Sequence, residues 1–370
     1  MKKIISIILC ICLIGLSFCG CSKQDTASSS FSEDVIVEEI IIDNTSGGSE
    51  ISSNGSITTD NSSATNSSDV TSGVCSHSYN ETVRQTAVLF KAGVKKYTCT
   101  KCGDSYTKAY PVEKLKILAI GNSFSLNSMW NLYDICKQAG VKQIDIAIMY
   151  IGGCSLDKHW EGAQNNSTEY QLYRNNSGEW KITPNYTLEA ILKEGGWDII
   201  TLQQKSEHAG DNTKFSNLDN MVNYVTGKCP DAKILWNMTW AFTKDSKYMP
   251  NQHIYNYDDI TMYKKIAECA QNIVLQNKKI HSIVPTGTAV MNARTSGLKN
   301  QVHRDDGSHL SEDVGYYVGA FTWFGAITGM SIYDVNYIIL NPTISANMNV
   351  FIESAENALK NPYSITPSRY

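Results

Sequence analysis

The sequence predicts an α/β fold: a three-layer α/β/α sandwich around a mostly parallel central sheet, preceded by a small Cys/His module. Three observations predict it. From Lys114 onward, apolar runs of strand length alternate with helix-length periodic segments, the pattern of a parallel sheet covered on both faces. Apolar residues make up 42% of the 370 residues and charged residues 18%, enough for a real core and incompatible with wholesale disorder. Composition also shifts sharply near residues 21, 75 and 114, which divides the chain into segments 1–21, 22–74, 75–110 and 114–370.

In segment 1–21, Lys2 and Lys3 precede an apolar run from Ile4 to Phe18, a charged region followed by a hydrophobic one too short for a comfortable membrane span. Phe18-Cys19-Gly20-Cys21-Ser22 follows. It resembles a bacterial lipobox, with Cys21 at the lipidated position, Gly20 before the cut, and Phe18 where Leu is usual. The expectation is export and lipid anchoring through Cys21 to the outer face of the cytoplasmic membrane, at the bacterial cell surface. An ordinary secretory signal, giving a secreted protein, or an uncleaved anchor are the alternatives.

Segment 22–74 is rich in Ser, Thr, Asn, Asp and Gly, with nine acidic residues against Lys23 alone. Its net charge is −8, so the rest of the chain carries +4 of the overall −4. It has too little apolar surface to offset its ordering entropy and reads as a disordered acidic tether, apart from the apolar stretch Val35–Ile42, which can pair as a strand. The overall charge leaves no basic footprint for nucleic-acid binding.

In segment 75–110, Cys75-Ser76-His77 and Cys99-Thr100-Lys101-Cys102-Gly103 are two close ligand pairs about twenty residues apart. Thiolates and imidazole at that spacing suit a tetrahedral structural Zn²⁺, with Cys75, His77, Cys99 and Cys102 as ligands and no open position for catalysis. Gly103 permits the knuckle turn, and Val83–Tyr97 alternates as a hairpin does. The segment resembles small zinc-ribbon-like modules of secreted bacterial proteins. A disulfide is the competing reading, because exported proteins meet oxidising conditions; it would leave one cysteine over and His77 idle.

In segment 114–370, strands are expected at Leu115–Ile120, Ile144–Tyr150, Asp198–Leu202, Lys233–Met238 and His281–Val284, and helices at Asn127–Ala139, Asn217–Thr226, Met262–Gln276 and Gly315–Thr328. Active sites of such sheets lie beyond the carboxyl ends of the strands. Gly121-Asn122-Ser123-Phe124-Ser125 follows the first strand. Ser123 at a strand-to-helix turn suits a nucleophile, its N–H near the positive end of a helix dipole, though Ser is equally at home as a helix cap. Near the C-terminus, Asp306-Gly307-Ser308-His309 places a carboxylate three residues before an imidazole, so that Asp306 can fix the ring tautomer of His309; the bland alternative is a polar loop with a capping Asp.

Taken together, the two segments resemble the SGNH (GDSL-type) hydrolase superfamily, in an uncharacterised branch reading Gly-Asn-Ser-Phe-Ser at the first block and Asp-Gly-x-His-Leu-Ser at the last. The resemblance covers roughly Leu115–Thr328. It implies a three-layer, flavodoxin-like fold and ester hydrolysis by Ser123, His309 and Asp306 without any catalytic cofactor. It also implies an oxyanion hole from the N–H of Ser123, a glycine of block two (Gly152 or Gly153), and an amide of block three. Block three usually holds Asn; here the strand ends in Gln203-Gln204, so one of these glutamines is expected to donate. Asn122 replaces the usual Asp of the first block.

His159 and His208 follow blocks two and three and can border substrate, and Trp236 and Trp240 can line a cleft. Aromatic faces suit sugar rings but equally a core; surface location and what the resemblance implies point to an acylated carbohydrate, or another small ester, as the substrate, hence a carbohydrate O-acetylesterase. A catalytically inactive carbohydrate-binding or adhesin-like lipoprotein on the same fold is the alternative. No protein partner is indicated. Cys136, Cys154, Cys229 and Cys269 allow zero, one or two disulfides.

Overall fold

A computed structural model describes residues 75–370. The signal, Cys21, the tether and Val35–Ile42 lie outside the described residues. Among the described residues no helix is long and apolar enough to cross a membrane.

The strands and helices of the larger domain alternate as the sequence pattern requires. The strands are β4 (Lys114–Gly121), β5 (Gln143–Tyr150), β6 (Tyr170–Asn175), β7 (Lys181–Tyr186), β8 (Ile199–Leu202), β9 (Lys233–Asn237) and β10 (Ile280–Val284), with β1 to β3 in the preceding module. They form one seven-stranded sheet in the order β10-β9-β8-β4-β5-β6-β7. The first five of that order are mutually parallel, and β6 and β7 run antiparallel at one edge. β4, β5 and β8 are largely apolar because helices cover both of their faces; Ile117, Leu118, Ile120, Ile146, Ile148 and Ile200 are fully buried. β4 pairs with β5 from Lys114↔Gln143 to Gly121↔Tyr150 and with β8 on its other side. The chain winds outward from β4 in both directions, so a crevice opens beyond its carboxyl end.

The helices are α1 (Ser123–Met129), α2 (Leu132–Ala139), α3 (Leu156–Gln164), α4 (Leu188–Lys193), α5 (Leu218–Lys228), α6 (Asp259–Asn272), α7 (Thr286–Arg294), α8 (Gly315–Thr328), the single turn α9 (Pro342–Ser345) and α10 (Met348–Lys360). One packed group contains α1, α2, α7, α8 and α10; another contains α3, α4 and α5. α8 is apolar nearly all round and almost wholly buried, as a helix enclosed by other helices must be. Its Gly319 lets the backbone of Ser128 on α1 come close, and the Trp323 indole N–H donates to Ser128 Oγ at 3.1 Å.

One local expectation is corrected, and one hairpin is added. The helix expected over Asn127–Ala139 is two helices: α1 begins at Ser123, and the chain breaks at Trp130-Asn131, where the Trp130 carbonyl accepts the indole N–H of Trp180 (3.1 Å). The β6–β7 hairpin was not expected. β7 holds Pro184 and the left-handed Asn185, and as an edge strand it tolerates the missing N–H.

The module before the domain is a three-stranded antiparallel sheet: β1 (Tyr79–Gln85), β2 (Gly93–Cys99) and β3 (Ser105–Tyr110). The expected hairpin is present, with a third strand added. The β1–β2 connection docks on the larger domain: the Phe90 N–H donates to the Ile327 carbonyl at the end of α8 (3.0 Å), and its ring stacks on His281 with centroids 4.3 Å apart.

Candidate active site

Ser123 is the first residue of α1, directly after β4. Capping falls to its neighbour: Asn122 Oδ1 accepts the Phe124 N–H at 2.9 Å, which leaves the Ser123 hydroxyl uncommitted to the helix end. Ser123 Oγ lies 2.9 Å from His309 Nε2, across 186 residues of chain. His309 Nδ1 lies 2.6 Å from Asp306 Oδ2. With Nδ1–H donating to the carboxylate, Nε2 is the acceptor that faces the hydroxyl.

Asp306 is held as firmly as it holds. Its Oδ1 accepts the N–H groups of Ser308 (2.8 Å) and His309 (2.9 Å). Burial pushes its carboxyl up, but hydrogen bonds from the His309 ring and from these two N–H groups outweigh burial and keep it below the ordinary carboxylate value. The loop is fixed through its carbonyls: Thr243 N–H donates to Gly307 O (2.7 Å), Ser246 Oγ to Asp306 O (2.7 Å) and Trp240 Nε1 to Ser308 O (2.7 Å).

The crevice around Ser123 has a volume of about 210 Å³. Besides Ser123 and His309, its walls include Gly153, Lys205, Glu207, Phe242 and Tyr248. Gly153 is the block-two glycine that reaches it; its φ of +59° favours glycine, and its exposed backbone approaches the crevice. The N–H groups of Ser123 and Gly153 make no hydrogen bond among the described residues. Gly152 is not part of the wall.

The expected glutamine donor is corrected. Gln203 and Gln204 are both buried and neither lines the crevice. Gln203 Nε2 donates to Asn122 Oδ1 (2.8 Å), and its Oε1 accepts from Ser125 Oγ and from Asn237 Nδ2 (3.3 Å). Gln204 Nε2 donates to the Lys214 carbonyl (2.7 Å), while its Oε1 accepts the N–H groups of Leu156 (2.9 Å) and Lys205 (2.8 Å). The longer side chains are spent bracing the loops rather than pointing into the crevice. Asn122 gains a role from the same network: its Nδ2 donates to the Cys154 carbonyl at 3.1 Å, tying the nucleophile turn to the Gly152-Gly153 loop.

Other expectations sort as follows. His159 is buried against Tyr170 (Nδ1 to the hydroxyl, 3.0 Å), and neither it nor His208 lines the crevice. Trp236 and Trp240 are buried too; Trp240 supports the site from beneath, stacked on Phe124 at 4.0 Å with an interplanar angle of 2°. Cys136, Cys154, Cys229 and Cys269 are separate buried thiols. Cys75, His77, Cys99 and Cys102 are brought together, with ligand atoms all within 4.8 Å of one another.

Asn127 was missed. Its Oδ1 accepts the Leu310 N–H (3.2 Å) and its Nδ2 donates to the Tyr316 hydroxyl (2.9 Å), so α1 grips the loop that carries His309. The available signal was its place one helical turn after Ser123.

The family described as "Domain of unknown function (DUF4886)" matches residues 116–356. No curated protein matches the chain. Solved structures similar to it include a DUF4886 family protein from Bacteroides uniformis ATCC 8492, at 31% identity, covering 68% of this chain and 97% of that one, with a TM-score of 0.63. A candidate SGNH hydrolase from Slackia heliotrinireducens is 15% identical over 57% of this chain and 97% of that one, with a TM-score of 0.39. A candidate GDSL-like lipase from Parabacteroides merdae ATCC 43184 is 14% identical over 60% and 97%, also with a TM-score of 0.39. With a match across most of its larger domain and a relative spanned almost end to end at 31% identity, the chain belongs to the DUF4886 family.

Proposed function

We propose that the chain is an extracellular, lipid-anchored serine ester hydrolase of SGNH type that removes short acyl groups, acetyl above all, from carbohydrate hydroxyls. The observation that carries this reading is the unbroken hydrogen-bonded line Asp306–His309–Ser123 at the carboxyl edge of β4.

The chemistry is acyl transfer. Ser123 Oγ attacks the ester carbonyl while His309 Nε2 takes its proton. Asp306 holds the Nδ1–H and stabilises the imidazolium. The Ser123 and Gly153 N–H groups receive the oxyanion; one such donor contributes on the order of 3 kcal/mol. His309 then protonates the departing alcohol oxygen, leaving an acyl group on Ser123. Water, deprotonated by His309, attacks that acyl carbon, and the serine leaves with the proton. These proton transfers use only the chain's own side chains, so the scheme calls for no cofactor.

The crevice supports the substrate class. Its volume of about 210 Å³ suits a short acyl group. Lys205 and Glu207, paired at 3.2 Å and partly exposed, give the wall a polar side that suits hydroxyl-bearing alcohols. A non-catalytic carbohydrate-binding role is favoured by one observation, the engagement of both glutamine amides away from the crevice.

The test is hydrolysis of p-nitrophenyl acetate, butyrate and octanoate, with acetate release from acetylated oligosaccharides. The expected result is turnover that falls as the acyl chain lengthens and acetate release from the sugars. Turnover greatest on octanoate overturns the substrate class; no turnover on any ester, with sugar binding retained, favours the binding role.

A further inference from the structure

We propose that Cys75, His77, Cys99 and Cys102 form a closed structural zinc site that holds the three-stranded module together. The site lies outside the Ser123 crevice, and the proposal rests on none of its chemistry.

The donor spacing carries it. In a tetrahedral site with Zn–S of about 2.3 Å and Zn–N of about 2.0 Å, neighbouring donors stand about 3.5–3.8 Å apart. Cys75 Sγ and Cys99 Sγ are 3.9 Å apart, and Cys102 Sγ and His77 Nδ1 are 3.4 Å apart. All four donors fall within 4.8 Å of one another. A disulfide requires about 2.05 Å between sulfurs, so neither the spacing nor the presence of four convergent donors fits one.

The backbone is arranged to present thiolates. The Lys101 N–H donates to Cys99 Sγ at 3.4 Å, and the Gly103 N–H to the Cys99 carbonyl at 3.0 Å. Gly103 turns the chain at φ +78°, where a side chain is strained, and Cys99 N–H then meets the Asp104 carbonyl at 2.7 Å. The Thr100 N–H donates to Ser78 O (2.8 Å), which lays the Cys75–His77 segment beside this knuckle.

The module also needs such a clamp. β1 is exposed along nearly its whole length and β3 along most of it, and among the module's strand residues only Gly93 and Cys99 are buried. A sheet with so little apolar burial gains its stability from a ligand or covalent link. Binding would join β1 to the β2–β3 turn, with the three thiols releasing their protons to solvent as the ion is taken up.

The experiment is metal analysis of the full chain purified without chelator, together with the cobalt-substituted protein and hydrogen exchange. The expected result is one zinc per chain, visible bands of a tetrahedral thiolate-bound cobalt ion, and loss of both in Cys99→Ser and Cys102→Ser. Chelating the wild type should release protection in β1–β3 while exchange in the parallel sheet of the larger domain is unchanged, a readout that stands even if the serine variants fold poorly. Three outcomes overturn the proposal: a metal-free chain with Cys75 and Cys99 recovered as a disulfide, metal retained in both serine variants, or exchange in β1–β3 unchanged by chelation.

Discussion

The Ser123 crevice and the Cys75–Cys102 cluster both gather side chains from distant stretches of chain, but they are held in opposite ways. The crevice is held from behind. Ser123 follows a strand with fully buried neighbours on both sides, and His309 rides on a loop whose carbonyls are pinned by Trp240, Ser246 and Thr243. The cluster has almost no core behind it, and in the zinc site proposed above its own donors would supply the cohesion. A site that must keep its geometry while a reaction proceeds is built on a rigid frame; a site whose task is cohesion can itself be the frame.

The largest effect that sharpens this contrast is Asp306→Asn. The Asn oxygen can still accept the Ser308 and His309 N–H groups, so the loop should keep its shape. Its amide would then face His309 Nδ1, forcing the proton onto Nε2 and removing the base that faces Ser123. A fall in kcat on the order of 10³–10⁴-fold is expected, with an unchanged melting temperature. A comparable loss of stability would mean that the carboxylate serves the fold rather than the tautomer.

Asn122→Asp should act more gently. It replaces a donor with an acceptor opposite the Cys154 carbonyl, in a residue only 2% exposed. The cost should be about 1–3 kcal/mol of stability, with the Gly153 loop loosened. kcat is expected to drop by about tenfold, as from a partly weakened oxyanion donor, with KM little changed. Denaturation curves and steady-state kinetics of the same preparation check both.

The smallest effect on turnover near neutral pH concerns the frame itself. Burial holds the His159 imidazole at a pKa of about 3. The unfolded chain has the ordinary value of about 6.5, so below that pH the unfolded state takes the proton first. His159's contribution is fully present above about 6.5 and is lost toward 3 at about 1.4 kcal/mol per pH unit. His303, also held at about 3 chiefly by burial, adds to the same slope. His159→Gln should flatten the acid limb of urea-unfolding free energy by that amount per pH unit, while His281→Gln, at a partly exposed position, should flatten it less.

Much of this was legible in the sequence because it rests on local patterns. The five parallel strands were readable as apolar runs, since burial on both faces confines most of their polar residues to the strand ends. The Asp306–His309 pair was readable as a carboxylate three residues before an imidazole, whereas Ser123 stood out only through the resemblance to the SGNH superfamily. What could not be read is long-range. Gln203 and Gln204 stand where a donor was expected, yet their partners Asn122 and Lys214 are 81 and 10 residues away, and no spacing rule announces them. Asn127 grips a loop 183 residues later. The edge strand β7 was hidden by Pro184, because whether a proline breaks a strand depends on whether a neighbour needs its N–H.

The most direct test of the central claim is labelling of the full chain with a fluorophosphonate, which reacts only with an activated serine, followed by peptide mass analysis. The predicted result is one adduct per chain, on Ser123, absent from Ser123→Ala and strongly slowed in Asp306→Asn, with ester turnover in Ser123→Ala down by at least about a thousandfold. An unlabelled Ser123 in a folded wild-type chain, or an adduct on another residue that persists in Ser123→Ala, would contradict the account.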